Sequence, residues 1–237
     1  MSVVDGTWEW LTDPAHWTGP QGVLVRTLEH LRISALALAL ACALALPIGV
    51  LLGHWGRGGA LAINVGNVGR AVPTFGVLVI LASWAPVGVG DLAAVLALAV
   101  FAVPPLLTNA YVGMRAVEPD VREAARGMGM TGAQLLRRVE LPLALPLLAA
   151  GFRTATVQVV ATATLAALVA GGGLGRFIVD GYGQQDYSMM VAGALLVALL
   201  SVATELGLGV AERRVTPRAR RGVTRAEVRA VQPATGS

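Results

Sequence analysis

The sequence predicts an all-α polytopic membrane protein with five transmembrane helices per subunit. Three observations carry that prediction. Of the 237 residues 55% are apolar and only 14% charged, against about 25% charged in a soluble domain. Apolar runs recur at lengths near the ~20 residues that a helix needs to cross a bilayer. Arginine is concentrated in alternate loops, as the positive-inside rule requires. A water-soluble globule is thereby excluded, and so is a disordered chain, which needs low hydrophobicity and high net charge.

The elements follow in order. Residues 1–22 form an external N-terminal segment with three acids and no Arg. Trp8, Trp10 and Trp17 suit the headgroup level, where indole is favoured. No basic n-region followed by an apolar core and a small-residue site is present, so no cleaved signal peptide is expected. The first apolar run is Ile33–Gly53, entered from about Val23. Pro47 is expected to kink it, and Gly49-x-x-x-Gly53 offers a close-packing face. The second run, Ala60–Trp84, is interrupted by Arg70 and Pro73, and the third, Leu92–Val112, carries Pro104-Pro105. A polar segment, 114–140, separates it from the fourth run, Leu141–Ala170. GGGLGRFIVDGYGQQDYS is too polar and Gly-rich to span, and the fifth run is Met189–Ala211. The membrane-spanning region is thus 23–212. A basic tail, 213–237, shows no apolar period and is expected to be disordered beyond about Thr216.

Segment 114–140 holds five Arg and the tail seven, which make 12 of the 18 basic residues. The loops 85–91 and 171–188 hold one Arg, Arg176, against three Asp. Five spans with the N-terminus outside and the C-terminus inside satisfy every loop. The high pI of about 10.2 is therefore a topology signal, and a nucleic-acid partner is set aside.

Several chemistries are excluded outright. All 18 basic residues are Arg, so no P-loop Lys and no Schiff-base Lys exists on this chain. No cofactor is expected here, and nucleotide energy has to come from a partner. Cys42 is the single cysteine and the three His are widely spread, so neither a disulfide nor a metal cluster is expected. Gly171–Gly175 lacks GK[ST] and a preceding strand, and reads as a helix-breaking turn at the external mouth rather than a phosphate cradle. Gly88-x-Gly90-x-x-Ala93 is loop composition. Ser34, Ser83 and Ser201 have no His at matching depth, which argues against an intramembrane hydrolase.

Segment 114–140 carries the function. Pro119-Asp120 opens a helix, with Pro near its first position and an acid in the first turn. Val121, Ala124, Ala125 and Met128 recur at helical spacing and give a narrow apolar face. Gly127 and Gly129 break the helix, and Leu135, Leu136 and Val139 resume the period. A surface helix–turn–helix with small residues on one face invites docking of another protein.

Glu123-Ala124-Ala125, three residues, Gly129, nine residues, then Val139-x-Leu141-Pro142 resembles the EAA signature of ABC importer permeases. Thr27-Leu-Glu-His30, Glu140-Leu-Pro-Leu-Ala-Leu-Pro146, Ala150-Gly-Phe-Arg-Thr-Ala-Thr-Val157 and Gly171-Gly-Gly-Leu-Gly175 resemble the osmoprotectant (glycine betaine/choline/carnitine) branch. The likeness covers roughly residues 22–212. Methionine and other small-solute permeases share the Gly-Leu-Gly region. The resemblance implies a type I importer permease whose cytoplasmic loop is a coupling helix, with Glu123, Ala124, Ala125, Gly129, Leu141 and Pro142 engaging the ATPase. It implies two copies of a cytoplasmic ATPase that binds ATP and Mg, a second permease subunit, identical or homologous, and an extracytoplasmic solute-binding protein. It also places the chain in a bacterial plasma membrane.

Ionisable residues inside spans are functional candidates, because lipid burial is costly. Arg70, Arg153 and Glu205 qualify. Arg153 matches a basic position of the family, whereas Arg70 stands where an uncharged polar residue such as Gln is expected. An Arg on the path would repel a cationic solute, so Arg70 is either paired or faces a net-neutral one. Glu205 is the expected carboxylate partner of Arg153. Only 12 residues are aromatic and no aromatic cage for a quaternary ammonium is evident. Selectivity is therefore expected on a separate binding protein. The permease contributes a weak path lined by Thr74, Thr108, Asn109, Gln158, Thr162 and Thr164. The rival reading, a passive channel, has no need of a docking loop.

Overall fold

The structure is a computed structural model that describes residues 2–215, without the side chains of Arg70 and Val215. Most of the tail, 216–237, lies outside the described residues, as does the expectation of disorder there. Among the described residues every regular element is helical.

Helix α1 (Val3–Thr12) opens on a capping box, in which the Ser2 hydroxyl accepts from the Asp5 amide and the Asp5 carboxylate accepts from the Ser2 amide. The Ser2 hydroxyl also lies within 2.7 Å of the Asp5 carboxylate as a donor, and this bond, with that from the Ser2 amide, holds the Asp5 carboxyl below its ordinary range. A single 3₁₀ turn (Pro14–His16) follows and stacks His16 on Trp10 at 4.4 Å. Helix α2 (Val23–Trp55) is 33 residues long and continues through Pro47, about 50 Å at 1.5 Å per residue.

The second apolar run is not one straight helix. It divides into α3 (Gly59–Ala71) and α4 (Thr74–Ser83), bent by 86°. The cause is local. A residue before proline is driven to extended backbone, and Val72 has φ −73° and ψ 122°. Pro73 adds no amide to the helix. Neither piece spans ~30 Å of hydrocarbon by itself; taken as one bent span, the pair is the second crossing in chain order and brings the count to five. Four other stretches are long and apolar enough to cross unaided.

Helix α5 (Asp91–Arg115) carries Pro104 and Pro105 within it, α6 (Pro119–Gly127) and α7 (Gly132–Leu135) form the polar segment, and a π-helical turn (Leu136–Glu140) leads into α8 (Leu141–Thr162). A 3₁₀ stretch (Ala163–Val169) completes that crossing. The region expected as an external loop contains a helix, α9 (Gly175–Gln184). Phe177 and Gly181 are buried there, so packing onto α10 (Tyr187–Val215) overrides the poor propensity of a Gly-rich sequence. Helix α10 runs past Ala211, so residues 213–215 of the expected tail are helical.

Contacts fix the relative directions. Arg32 pairs with Asp91 near the starts of α2 and α5, while Gly53 meets Met114 near their ends, so these helices run parallel. Helix α8 opposes them, because Gly151 lies on Asn109 and His30 bonds the Val160 carbonyl. Ala37, Ala41, Ala45, Gly49 and Gly53 recur every fourth residue of α2 and are all buried. A Cβ on Gly49 would lie 2.7 Å from the Ala110 Cβ, and one on Gly53 would lie 2.4 Å from that of Met114. Small residues let α2 and α5 approach closely, which suits a lipid phase that supplies no hydrophobic drive between helices. A second cluster, of Trp10, Val23, Leu174, Phe177, Ala192 and Val197, seats α1 and α9 on α10. The molecule thus has an α6 end and an α9 end.

Candidate functional site

The α6 end is built around one turn. Helix α6 starts with Pro119 at its first position and Asp120 in its first turn. It closes with the Met128 and Met130 amides bonded to the Ala124 and Ala125 carbonyls. Gly129 has φ +81°, the left-handed region that glycine enters without penalty. Thr131 then caps α7 through a capping box with Gln134. Glu123, Ala124, Gly127, Met128 and Gly129 are exposed on this turn, and Met128 shows 72% of its surface.

One expectation needs correction. Ala125 is buried, together with Arg122, while Val121, Ala124 and Met128 face outward. The spacing identifies two faces of a nine-residue helix, and packing chooses Arg122/Ala125 as the inner one. Ala125 therefore supports the turn from within. Leu141 is half-buried and Pro142 exposed at the start of α8.

Behind this turn lies a charged cluster that the sequence reading did not single out. Glu140 is fully buried and accepts a hydrogen bond from His54 Nδ1. Arg122 Nε lies 3.1 Å from Glu140 Oε1, an ion contact without hydrogen-bond alignment. The Arg122 Nη2 donates to the Met114 carbonyl. Only the coincidence of an acid beside Leu-Pro and an Arg inside the EAA helix hinted at it.

The intramembrane candidates are placed as follows. Arg153 Nη2 donates to Glu205 Oε1, and Arg153 Nη1 donates to Glu212 Oε2 at 3.0 Å. The structure thus brings Arg153 and Glu205 together and adds Glu212, which the sequence reading assigned to the edge of the tail. The cluster is not sealed in the subunit, since the Arg153 and Glu205 side chains are 34% and 41% exposed. Arg70 lies on α3, but its side chain is outside the described residues. Thr108 donates to the Ala62 carbonyl at 3.2 Å and Asn109 to the Pro105 carbonyl at 2.8 Å. Thr108 thus ties α5 to α3, whereas Asn109 bonds within its own helix and is pressed against Gly151 of α8. Gln158 is exposed on α8, near Thr162, whose hydroxyl bonds the Gln158 carbonyl.

At the α9 end the Gly171–Gly173 turn is held by carboxylates. Gly172 N–H donates to Asp91 Oδ1 at 3.0 Å and Gly173 N–H to Glu29 Oε2 at 2.9 Å. His30 Nε2 reaches the Val160 carbonyl at 2.8 Å. The Thr27-Leu-Glu-His30 motif therefore clamps the end of the fourth crossing. The Asp91 and Glu29 carboxylates take the amides that a phosphate would need. A largely apolar cavity of about 450 Å³ lies against the α3–α4 bend, with Asn64, Thr74 and Phe101 in its wall.

Comparison with known proteins agrees with this architecture. The family model for binding-protein-dependent transport system inner membrane components matches residues 45–217. The choline transport system permease protein OpuBB of Bacillus subtilis is 39% identical over 82% of this chain and 89% of its own length. The glycine betaine/carnitine/choline transport system permease protein OpuCB of the same organism is 38% identical, over 85% and 92%. The osmoprotectant import permease protein OsmW of Salmonella typhimurium is 34% identical, over 81% and 91%. A solved chain of the MetNI methionine ABC transporter, in an inward-facing conformation, superposes with TM-score 0.70 at 26% identity, covering 82% of this chain and 97% of that one. With a bent second crossing, five spans and a structured turn between the third and fourth, the chain belongs to the family of binding-protein-dependent transport system inner membrane components.

Proposed function

We propose that this chain is the transmembrane permease subunit of an ATP-binding-cassette importer for a small osmoprotectant such as glycine betaine, choline or carnitine. The observation that carries the reading is the exposed Glu123–Gly129 turn at one end of a five-span domain. Relatives named for those solutes support the substrate class. The Arg-rich loop and tail argue that the α6 end faces the cytoplasm and the N-terminus lies outside, in a bacterial plasma membrane. A chain without Lys holds no P-loop, so hydrolysis of ATP with Mg falls to a partner, two copies of a cytoplasmic ABC ATPase.

Ala124 permits close approach of that ATPase, Gly129 gives the turn its positive φ, and Glu123 supplies an acceptor for a charge-assisted bond. Leu141 and Pro142 continue the coupling segment into α8, and Ala125 holds it from beneath. Five helices do not enclose a path with a gate, so a second permease subunit completes it. The cavity at the α3–α4 bend is the stretch of path this subunit offers, and Arg70 lies on α3 close by in sequence. Gln158, exposed on α8, is a further polar candidate for the path. The cluster of Arg153, Glu205 and Glu212 sits on an exposed face of α8 and α10, where a second subunit or the vestibule covers it. Specificity then rests on an extracytoplasmic solute-binding protein.

The test is reconstitution of the permease in proteoliposomes with its ATPase and binding protein. ATP-dependent accumulation of choline, glycine betaine or carnitine is expected. Flux of these solutes without the ATPase would identify a channel instead, and ATP-driven uptake of methionine but none of the three would move the chain to another branch.

A further inference from the structure

We propose that Glu140, Arg122 and His54 form a buried ionic latch that positions α6 on the spanning helices, so that α6 and the start of α8 move as one body. The proposal rests on α6 being the ATPase-docking helix. Four elements meet at the latch. His54 is in the last turn of α2, Met114 in the last turn of α5, Arg122 in α6, and Glu140 at the junction of the π-helical turn with α8. Arg122 bonds the Met114 carbonyl and faces the Glu140 carboxylate, whose other oxygen accepts from His54.

Stability alone does not account for charges here. Replacing a buried ion pair with apolar side chains of similar volume is often neutral or stabilising, and Ala125 and Leu135 already supply apolar burial to this segment. An ion contact adds what apolar packing lacks, a fixed register between two elements. The 3.1 Å approach of Arg122 Nε to Glu140 Oε1 is not aligned as a hydrogen bond, so it holds α6 to the start of α8 by charge attraction, which burial strengthens. Glu140 also ends a π-helical turn in which the Leu141 amide bonds the Leu136 carbonyl. Such turns recur at functional sites, and this one lets a push on α6 reach α8 at the point where the helical register changes. Beside the latch an open groove of about 540 Å³ is lined by His54, Trp55, Arg57 and Arg126, so on that side the ends of α2 and α6 are not joined by packing.

The test uses the assembled importer in proteoliposomes, supplied with whichever of choline, glycine betaine and carnitine the wild type imports fastest. Uptake per ATP hydrolysed is the readout. Glu140→Gln and Arg122→Gln should retain the co-purified ATPase while that ratio falls about tenfold or more, within the usual range of coupling energies. Arg122→Leu/Glu140→Leu separates coupling from folding. Removing both charges should restore the yield of folded protein, yet the ratio should stay low. A wild-type ratio in the double variant would overturn the latch. A second measurement needs no latch mutation. Spin labels at Val121 and Leu143, with Cys42 replaced by Ala, should report the same separation with and without ATP, and a nucleotide-dependent change would overturn the single-body movement. Glu123→Ala distinguishes the two levels. If it leaves ATPase binding intact, the docking assignment of α6 fails; if it loses the ATPase while Glu140→Gln transports normally, only the latch falls.

Discussion

Gly129 offers the most quantitative test of the docking turn. Its φ of +81° is forbidding to most side chains, yet a Cβ there would meet nothing within 4 Å. Substitution at this position therefore changes backbone energy without a clash. Holding an L-residue in the left-handed region costs roughly 1–2 kcal/mol, with Asn the most tolerant non-glycine. Because the turn is exposed and carries no core packing, that cost falls on the population of the docking geometry rather than on the bundle. At about tenfold per 1.4 kcal/mol, Gly129→Ala should weaken association with the ATPase roughly 5- to 30-fold. Gly129→Val should weaken it further, because a β-branched side chain is a genuine outlier at positive φ. Gly129→Asn should stay nearest to wild type although Asn is larger than Ala. The assay is titration of purified ATPase against permease in nanodiscs, with thermal unfolding as the control for intact protein. If affinity falls in order of side-chain volume, with Asn worse than Ala, the conformational argument is refuted and Gly129 is needed for close approach instead.

Three further outcomes are expected. In a Cys42→Ala background, single cysteines at the exposed Ala133 and Gln184 should label from opposite sides of sealed vesicles, and labelling from one side would sink the five-span topology. Gly53→Leu should lower the thermal midpoint through overpacking of about 1–3 kcal/mol, since its Cβ would fall 2.4 Å from that of Met114, whereas Gly207→Ala, with nothing within 4 Å, should not. Arg153→Leu should reduce the yield of monodisperse protein more than Glu205→Leu, because it strands two carboxylates while Glu205→Leu leaves Arg153 bonded to Glu212 at 3.0 Å; equal losses would show that Glu212 is not a working partner.

The parts of this fold that composition and period determine were legible before any coordinates. Spans with uninterrupted apolar runs, α2, α5 and α10, fall where hydropathy puts them, because a bilayer demands length and apolarity and little else. The Gly129 turn was legible for a different reason: a positive φ leaves its mark as a glycine at a fixed distance from a helix start. The second crossing was half legible. Pro73 announced a break, but the angle of 86° depends on how α3 and α4 settle on α5, with Gly69 closed against Pro104 and Gly66 against Thr108.

The charged clusters were the least legible, and the reason is distance along the chain. His54 and Glu140 are 86 positions apart, and Arg153 and Glu212 are 59 apart. No periodicity links residues that only the parallel course of α2 and α5, and the opposed course of α8, bring together. Charge also misleads in both directions. Arg122 lies in a helix of polar composition, and Glu212 is the last residue of the expected 23–212 region, yet each is held by an opposite charge on another element. In a chain with so few charges, those turned inward are costly to keep unless paired. They sit where elements of different crossings meet: Glu140 between α6 and α8, Arg153 between α8 and α10, and Glu29 and Asp91 against the end of the fourth crossing. Alanine and glycine stripes let the helices approach and slide, since they carry no directional bond. The ionic contacts at the ends and flanks fix register instead. In this subunit all three clusters touch the fourth crossing: the Glu140 contact holds its start to α6, the Arg153 contacts hold its flank to α10, and Glu29 and Asp91 hold the turn at its end.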